Sequence, residues 1–328
     1  MKISIVLPVY NGEETLNECL EAILNIEYPK SDYELVVVND CSTDDSREIM
    51  EEFLVRFREE GVDIKIIDFD VNKGRIEARL EGVKNAKYEN LLFIDHRCIA
   101  DTDILKVIKE RGYEPIVGNP YQNRKGSLIN RFFFVFRKIL YGKYWGYEYP
   151  DVYIDKSNFD IIPKGFSPFF CKKERFLKSL PKDTGKWVSD DTLIFSNMVK
   201  NGVTILKNSK VRVYYSERNE FGDFFYHTYQ RGPRFVDYYK DSKRKYFLII
   251  PAILFLPLLL LFLIVFLWDW LLYVCSFMFL LAFIYLILIK SFSLIDFIAV
   301  ILIGPLVLLS FGTGVYKGVF RLLFKKNK

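Results

Sequence analysis

The stretch ISIVLPVYNGEETL at residues 3–16 decides the fold class, because an apolar run passes through a short polar turn into a helix. Residues 3–7 predict a buried strand, and residues 8–12 predict the loop that follows it. The next helix is expected to begin near Glu13, with apolar side chains recurring at helical spacing. A strand followed at once by a helix is the unit from which α/β domains are built.

The same alternation of strand and helix continues through the first hundred residues. Further strands are predicted at residues 33–38, 64–69 and 91–94, and further helices after residue 46 and at residues 75–86. Repetition at this spacing predicts a mostly parallel sheet with right-handed crossovers, whose ligands bind beyond the carboxyl ends of the strands. We therefore expect the polar clusters that follow three strand ends to meet in one crevice, namely residues 8–10, 39–40 and 95–97.

The composition argues against several classes of protein. The chain has 328 residues, of which 51% are hydrophobic and 27% charged, and a disordered chain is less apolar than this. Five widely spaced cysteines without a C-x-x-C pair disfavour a disulfide framework, and two histidines disfavour a multi-histidine metal centre. The absence of G-x-G-x-x-G and P-loop patterns disfavours dinucleotide-dependent redox enzymes and P-loop NTPases, and no nucleic-acid partner is expected.

The C-terminal third has the character of a membrane anchor. Residues 247–267 and 271–289 carry no charge, and each run is long enough to cross the hydrocarbon of a bilayer. A buried core helix is the weaker interpretation, because two such runs follow one another with almost no polar face. A third run, residues 295–311, is split by Gly304-Pro305 and is compatible with a span, a re-entrant segment or an interfacial helix.

The placement of lysine and arginine predicts the orientation in the membrane. Basic residues at 240–245 precede the first run, whereas the connector at 268–270 has none, so the preceding domain is expected in the cytoplasm of a prokaryotic cell, at the plasma membrane. The basic tail at 321–328 prefers the same side, which conflicts with three crossings. We therefore expect the third run not to span and residues 315–323 to lie in the interface.

Several motifs carry a resemblance to a known family. In chain order they are ISIVLPVYNGEETL, VVVNDCSTDDS, NKGRIEARLEG, LLFID, SDDTLIF and QRGPRF, and together they cover residues 1–235. They resemble the inverting glycosyltransferases of family 2, which have the GT-A fold, a Rossmann-like α/β domain with a mostly parallel sheet. The resemblance implies transfer of a sugar from a UDP- or GDP-linked donor to an acceptor hydroxyl, with inversion at the anomeric carbon.

The resemblance and the apolar runs together predict the organisation of the chain. Residues 1–235 are expected to form the GT-A domain, with a nucleotide-binding half at 1–100 and an acceptor and catalytic half at 101–235. A basic juxtamembrane linker at 236–246, two transmembrane helices at 247–289, and a third apolar segment with a basic tail at 290–328 are expected to follow.

Three residues after the first two strands match positions that hold the base and ribose of the donor. They are Pro8, Tyr10 and Asp40. For Asp40 the alternative is a cap on the helix that follows, because Ser42, Thr43 and Asp44 crowd the same turn. Capping alone does not require a carboxylate at this position, so we favour base recognition.

The donor pyrophosphate is expected to meet arginine side chains, whose planar fork suits phosphate oxygens. Arg79 matches an arginine near the donor, and Arg231, Arg234 and Phe235 match a motif beside the pyrophosphate. Arg97 is a further candidate for this contact. Since Arg231 and Arg234 lie close before the first apolar run, binding of anionic lipid headgroups is the alternative for them.

An acceptor hydroxyl is a poor nucleophile, so a carboxylate must take its proton as the new bond forms. Asp191 matches the general base of the family, and Asp190 is expected to support it. Both residues precede an apolar helix, so stabilisation of the helix dipole is the structural alternative, with one acid as the cap and the other as the base.

The sequence departs from the family at the metal-binding D-x-D motif. Asp95 matches the first acid, but Arg97 stands in place of the second. Asp95 with the donor phosphates and His96 could hold one Mg²⁺ or Mn²⁺, or Arg97 could neutralise the pyrophosphate directly. We predict that a divalent cation is used.

The segment at residues 128–145 is both aromatic and basic. It is compatible with a helix lying on the membrane surface and equally with an amphipathic helix packed on the sheet. A catalytic domain tethered close to the bilayer favours a lipid-linked acceptor, because tethering raises the effective concentration.

These observations predict a membrane-anchored inverting glycosyltransferase that acts on a lipid-linked or membrane-proximal glycan. One alternative is a polyprenyl-phosphate glycosyl synthase, which needs no general base because its phosphate acceptor is already ionised. A processive polysaccharide synthase normally has more transmembrane segments than this chain. An inactive nucleotide-sugar-binding membrane scaffold is the alternative outside the enzymes, and the altered D-x-D motif supports it.

Overall fold

A computed structural model describes residues 1–122, 126–181, 190–216, 221–239, 268–285 and 292–324, together with residues 255 and 259. The chain divides into two compact units. The first comprises Met1–Gln122 and Lys138–Glu217, and the second comprises Asn123–Arg137 and Arg218–Lys328. Most of the predicted linker at 236–246 and nearly all of the first apolar run lie outside the described residues, and the boundaries predicted from the sequence stay predictions.

A mixed sheet forms the centre of the first unit. Its strands are β1 (Ile3–Val9), β2 (Tyr33–Asn39), β3 (Asp63–Asp68), β4 (Asn90–Phe93), β5 (Cys98–Ala100), β6 (Ile116–Tyr121), β7 (Val152–Ile154), β8 (Phe169–Lys172) and β9 (Ile205–Tyr215). Their order is β3-β2-β1-β4-β8-β6-β9-β5, with β7 paired to β9. The neighbours among β1 to β4 are parallel, whereas β8 is antiparallel to β4 and β6. This confirms the predicted α/β class with a mostly parallel amino-terminal sheet.

Helices connect these strands. In the first unit they are α1 (Glu13–Leu24), α2 (Ser46–Glu59), α3 (Arg75–Asn85), α4 (Ile104–Arg111), α6 (Lys173–Lys178) and α7 (Asp190–Lys200), and α5 (Leu128–Tyr141) contributes residues to both units. The predicted elements are confirmed to within a few residues. One boundary was wrong, because β1 continues through Pro8 and Val9, which pair with Val38 and Asn39 of β2.

Strand alternation gives the sheet two different faces. One face carries the main aliphatic core, to which Leu92 and Ile94 contribute together with side chains of α1, α2 and α4. The opposite face carries Phe93, whose ring lies 4.9 Å from that of Phe166. The backbone of α3 approaches this second face closely, since a Cβ on Gly82 would lie only 2.5 Å from Val6 Cγ1.

The described part of the second unit consists of α5, α8 (Phe221–Tyr239), α9 (Trp268–Phe283) and α10 (Leu294–Phe324). Helices α8 and α10 pack so tightly that a Cβ on Gly232 would lie 2.3 Å from the carbonyl carbon of Gly314. The buried side chains of α5 contact α8 and α10, as Phe133 does with Phe224 at a ring distance of 5.4 Å. Both interpretations of the segment at 128–145, packing on the sheet and a position on the membrane surface, stay predictions.

Helix α10 corrects the predicted break in the third apolar run. It is one continuous helix through Gly304 and Pro305. A proline inside a helix removes one backbone hydrogen bond, and the helical turns on both sides of Pro305 continue despite that loss. Its 29 residues Leu294–Leu322 form the one helix in the described parts of the chain that is long and apolar enough to cross a membrane. Helix α9 is apolar over Tyr273–Phe283 but shorter than a span.

Candidate active site

The carboxyl ends of three adjacent parallel strands form one rim of the sheet. Tyr10 follows β1, Asp40 follows β2, and Asp95 follows β4 by two residues. The rim is closed between β1 and β2 by a hydrogen bond from Asp40 N to Val9 O of 2.8 Å. The predicted meeting of these polar residues at one edge is thus present in the structure, with Tyr10 exposed and Pro8 buried within β1.

Asp40 organises the loop that leads into α3. Its carboxylate is almost fully buried, and it accepts hydrogen bonds from the backbone N–H groups of Lys73 at 2.6 Å and Gly74 at 2.8 Å. The alternative interpretation, in which Asp40 caps α2, is wrong because Asp45 occupies the N-cap position of that helix. A contact of Asp40 with the nucleotide base stays a prediction.

Replacing Asp40 by alanine is expected to destabilise the first unit by about 1–3 kcal/mol, because two N–H groups lose their acceptor. Nucleotide affinity should fall in the same variant. Thermal unfolding and nucleoside diphosphate titration of the purified full chain measure the two effects. Asp45→Ala is the matched control, since the Asp45 side chain makes no capping hydrogen bond. Equal melting temperatures for the Asp40 and Asp45 variants would contradict the assigned role.

Asp95 is held by hydrogen bonds to two residues, Arg79 and Ser167, that the sequence alone does not link to it. Arg79 on α3 is 1% exposed, and its Nη2 donates to Asp95 Oδ1 at 2.8 Å. The backbone N–H of Asp95 donates to Ser167 Oγ at 2.9 Å. The Arg79 guanidinium in turn lies 4.1 Å above the ring of Phe166. Arg79 is therefore placed to position Asp95, in addition to any contact with a donor.

The two residues after Asp95 turn toward α1. Arg97 is only 10% exposed, and its Nη2 lies 3.9 Å from Glu14 Oε2. His96 Nδ1 lies 3.1 Å from Thr15 Oγ1, which makes a hydrogen bond with either tautomer. Thr15 of α1 is thus one polar neighbour of His96.

The described residues offer few protein ligands for the expected divalent cation. Among the described residues there is no group of three or more His, Cys, Asp or Glu side chains that could hold a metal ion. Asp95 has one oxygen paired with Arg79, and the second acid of the motif is absent. Because Mg²⁺ is commonly bound through one or two carboxylates plus substrate phosphates, the residues present fit an ion that takes most of its ligands from a donor and from water.

Asp191 lies in the first turn of α7, and its Oδ1 accepts a hydrogen bond from Thr192 N at 2.8 Å. One turn later, Phe195 stacks on Phe166 with a ring distance of 5.5 Å. Residues four apart share a helix face, so Asp191 lies on the side of α7 that packs on Phe166, the ring beneath Arg79. Asp190 begins α7, but its side chain lies outside the described residues.

Arg231, Arg234 and Phe235 belong to α8 in the second unit. Arg231 is exposed, and the ring of Phe235 packs edge-on against Phe311 at 5.5 Å. Their expected roles at the donor pyrophosphate, and the alternative role at lipid headgroups, stay predictions.

Sequence reasoning missed the support beneath the rim. Phe166 and Ser167 lie about seventy residues after Asp95, and no local pattern links them to it. Two buried cysteines also contact this turn, since Cys98 N donates to Asp95 O at 2.9 Å and Cys19 Sγ lies 3.8 Å from the same oxygen. Burial, with the Asp95 charge added, raises the pKa of both thiols, so they remain protonated packing groups.

The backbone of the rim contains two residues in the left-handed region, Asn11 at φ 47° and Cys41 at φ 62°. The Asn11 side chain accepts a hydrogen bond from Thr43 N at 2.9 Å, which joins the loops after β1 and β2. The Asn11-Gly12 pair is a turn signal in the sequence, whereas nothing local predicts this conformation for Cys41.

Comparison with known proteins agrees with this architecture. Residues 4–158 match the family model Glycosyl transferase family 2. Residues 4–158 are therefore similar to the glycosyltransferases of family 2, and the α/β fold described above agrees with this match.

Two curated relatives and one solved structure illustrate the similarity. Poly-beta-1,6-N-acetyl-D-glucosamine synthase of Staphylococcus epidermidis is 29% identical over 193 residues, which are 57% of this chain and 42% of that protein. Poly(ribitol-phosphate) beta-glucosyltransferase of Bacillus spizizenii is 42% identical over 96 residues, which are 29% of this chain and 14% of that protein. The chain thus spans less than half the length of either relative.

The mannosyltransferase PcManGT from Pyrobaculum calidifontis, solved with GDP-Man and Mn²⁺, has 16% sequence identity and a TM-score of 0.56. The match covers 99% of this chain and 88% of that one. At this level of identity the likeness shows a shared fold.

Proposed function

We propose that the chain is a membrane-anchored inverting glycosyltransferase that moves a sugar from a UDP- or GDP-linked donor to a hydroxyl of a lipid-linked or membrane-proximal glycan. The observation that carries the proposal is the placement of three acids, Asp40, Asp95 and Asp191, on connected elements of the first unit. Two of these acids occupy one sheet rim, and the third lies on the helix packed against the ring beneath the Arg79–Asp95 pair.

In the proposed reaction, Asp191 removes the proton of the acceptor hydroxyl as its oxygen attacks the anomeric carbon. The new C–O bond forms on the face opposite the nucleoside diphosphate, whose bond to the anomeric carbon breaks at the same time. The configuration at that carbon is therefore inverted. A positioned carboxylate is suited to this task because the proton becomes acidic only as the bond forms.

The leaving nucleoside diphosphate gains negative charge as its bond to the sugar breaks, and fixed positive charge lowers the barrier. Arg97 is our candidate for this contact within the first unit, and the match of Arg231 and Arg234 to the family motif makes each of them a further candidate. A divalent cation, when bound, would supply further positive charge, held by Asp95 and the donor phosphates. Arg79 keeps the Asp95 carboxylate in a fixed orientation for either role.

The membrane part of the proposal rests on α9 and α10. Large apolar side chains are exposed along both helices, including Phe277 and Leu280 on α9 and Leu302, Leu309 and Phe320 on α10. Their transfer into lipid would remove this surface from water. The printed names of two relatives refer to poly-beta-1,6-N-acetyl-D-glucosamine and to poly(ribitol-phosphate), which supports a polymeric acceptor. The basic residues at 240–245 support a position of that acceptor at the cytoplasmic face of a prokaryotic plasma membrane.

The test uses purified full-length chain in lipid nanodiscs with a panel of UDP- and GDP-linked radiolabelled sugars. We expect nucleoside diphosphate release that rises when a membrane lipid extract is added, with label entering the lipid phase. A glycosidic bond to a hydroxyl survives mild acid, whereas a glycosyl phosphate does not, so acid treatment separates the proposal from a polyprenyl-phosphate glycosyl synthase. Binding of donor without release under any condition would identify an inactive scaffold instead.

Removal of divalent cations by excess EDTA is expected to abolish transfer, and Mg²⁺ or Mn²⁺ should restore it. The reason is that Asp95 and the nearby arginines offer the diphosphate only partial charge compensation without an ion. Initial rates over a titration of each metal measure the effect. Undiminished turnover in EDTA would instead assign charge neutralisation to the arginines.

A further inference from the structure

A cluster of tyrosines stands at the edge of the first unit, outside the residues used above. The ring of Tyr121 at the end of β6 packs edge-on against Tyr147 at 5.2 Å and against Tyr214 of β9 at 5.8 Å. Tyr147 nevertheless remains 53% exposed. A large aromatic ring that contacts another ring and is still half open to solvent offers apolar surface to a flat apolar group.

The strand register places this cluster beside the candidate active site. The chain leaves the Asp95 turn as β5, in which Ile99 pairs with Tyr214, and Tyr214 pairs on its other side with Tyr121. Ser216 N also donates to Arg97 O at 2.8 Å. Since neighbouring strands are about 4.8 Å apart, Tyr121 lies roughly 10 Å across the sheet from the strand that begins at the Asp95 turn.

The cluster also lies on the same face of the sheet as α7. Val211 and Val213 of β9 point into the main aliphatic core, so the alternating Arg212 and Tyr214 point to the opposite face. That opposite face also carries Phe169, because its neighbour Phe170 belongs to the aliphatic core. Phe169 packs on Phe195 of α7 at a ring distance of 4.9 Å.

Tyr147 is held rigidly by charged and polar neighbours. The Arg212 guanidinium lies 4.1 Å from the centre of its ring. Asp101 fixes Arg212 by accepting a hydrogen bond from its Nε, and it accepts another from Tyr121 Oη at 3.3 Å. The buried Asn119 side chain donates to the carbonyl oxygens of Gly146 at 2.9 Å and Tyr147 at 3.2 Å.

We propose that Tyr147 is a stacking platform for a saccharide unit of the acceptor, backed by Arg212 and edged by Tyr121. A pyranose with equatorial substituents presents a flat C–H face to an aromatic ring and directs its hydroxyls outward to polar groups and water. A preformed ring loses little conformational freedom on binding, which favours affinity. The inference rests on the proposed function for the assignment of this sugar to the acceptor.

The test is a binding measurement that needs no turnover. The sample is the full chain in nanodiscs, prepared without sugar-based detergent. The two probes are the β-linked tetrasaccharides of glucose and of N-acetylglucosamine, and their binding is measured by saturation-transfer NMR and by titration. Tyr147→Ala is expected to weaken binding of the better probe about tenfold, and Tyr147→Phe to retain it, because the ring and not the hydroxyl makes the contact.

Tyr153→Ala is the matched control. Tyr153 is 54% exposed and packs edge-on against Tyr113 at 5.8 Å, but it pairs with Leu206 at the other end of β9. We expect it to bind like the wild type. The inference is overturned if neither probe binds the wild type, or if Tyr147→Ala binds as well as Tyr147→Phe. If the probe binds in a Tyr147-dependent way but the chain transfers no sugar, the proposed function is rejected and the role of Tyr147 in saccharide binding stands.

Discussion

Replacing Asp191 by asparagine is expected to lower the turnover number for sugar transfer by roughly 10²- to 10⁴-fold, the usual contribution of a positioned general base. Asparagine has the same shape and can still accept the hydrogen bond from Thr192 N through its amide oxygen. It cannot take a proton from the acceptor hydroxyl. The loss should therefore fall on the turnover number, with the affinity for nucleoside diphosphate unchanged.

The measurement compares initial rates of label transfer for the wild type and the variant with saturating donor and lipid extract. Asp155→Asn is the matched control, because Asp155 is an exposed acid that serves only the Ser157 turn in the described structure. Turnover of the Asp191 variant at the wild-type rate would remove this residue as the base. Such a result with an acid-labile product would favour an acceptor phosphate, which is already ionised.

Replacing Lys207 by methionine is expected to stabilise the first unit at neutral pH by several kcal/mol, on the order of 5. Lys207 lies in β9 with 1% exposure, and its Nζ is 5.0 Å from the centre of the Tyr149 ring. Burial, followed by the positive charge of Lys164, lowers the pKa of Lys207 to about 7. Methionine has a similar length and carries no charge into this apolar site.

The sign of the pH dependence follows from this lowered pKa. Unfolded Lys207 is protonated below about pH 10.4, whereas the folded protein holds it neutral above about pH 7. The unfolded chain therefore binds more protons between these values, and the stability of the wild type should rise with pH across that window. Below pH 7 the full cost of the buried charge is present.

Melting temperatures of the full chain at pH 6, 7 and 9 measure both effects. Lys207→Met should melt higher than the wild type at pH 6 and 7, and the difference should shrink at pH 9. Lys210→Met is the matched control, because Lys210 lies on the same strand but is exposed. A methionine variant that melts below the wild type at neutral pH would show that the ammonium group has a stabilising partner.

The sequence was most informative where structure is local. Apolar runs bounded by turn residues predict β1 and β2 because a strand buried on both faces needs apolar side chains throughout. The polar residues at 39–40 and 95–97 were placed at one edge because parallel strands all end on the same side. The rim of the candidate site was therefore predictable from residues within the first hundred.

The remainder depends on contacts between distant parts of the chain. Nothing near Asp95 predicts that Ser167 accepts its N–H or that Phe166 supports Arg79. Tyr147 likewise belongs to a loop whose function is visible only once Arg212 and Tyr121 surround its ring. The break expected at Pro305 is a separate case, since one lost backbone hydrogen bond does not end a helix of 31 residues.

The positive-φ turn that follows β2 has a practical consequence for thiol chemistry. Cys19, Cys98 and Cys171 are fully buried, Cys41 is partly exposed, and Cys275 lies on α9, which the proposed function places in lipid. Cys41 follows Asp40 directly, so a water-soluble alkylating reagent applied to the unmodified protein would report on the proposed nucleotide site at this sulfur. Slower alkylation of Cys41 in the presence of a nucleoside diphosphate would measure the occupancy of that site without any engineered label.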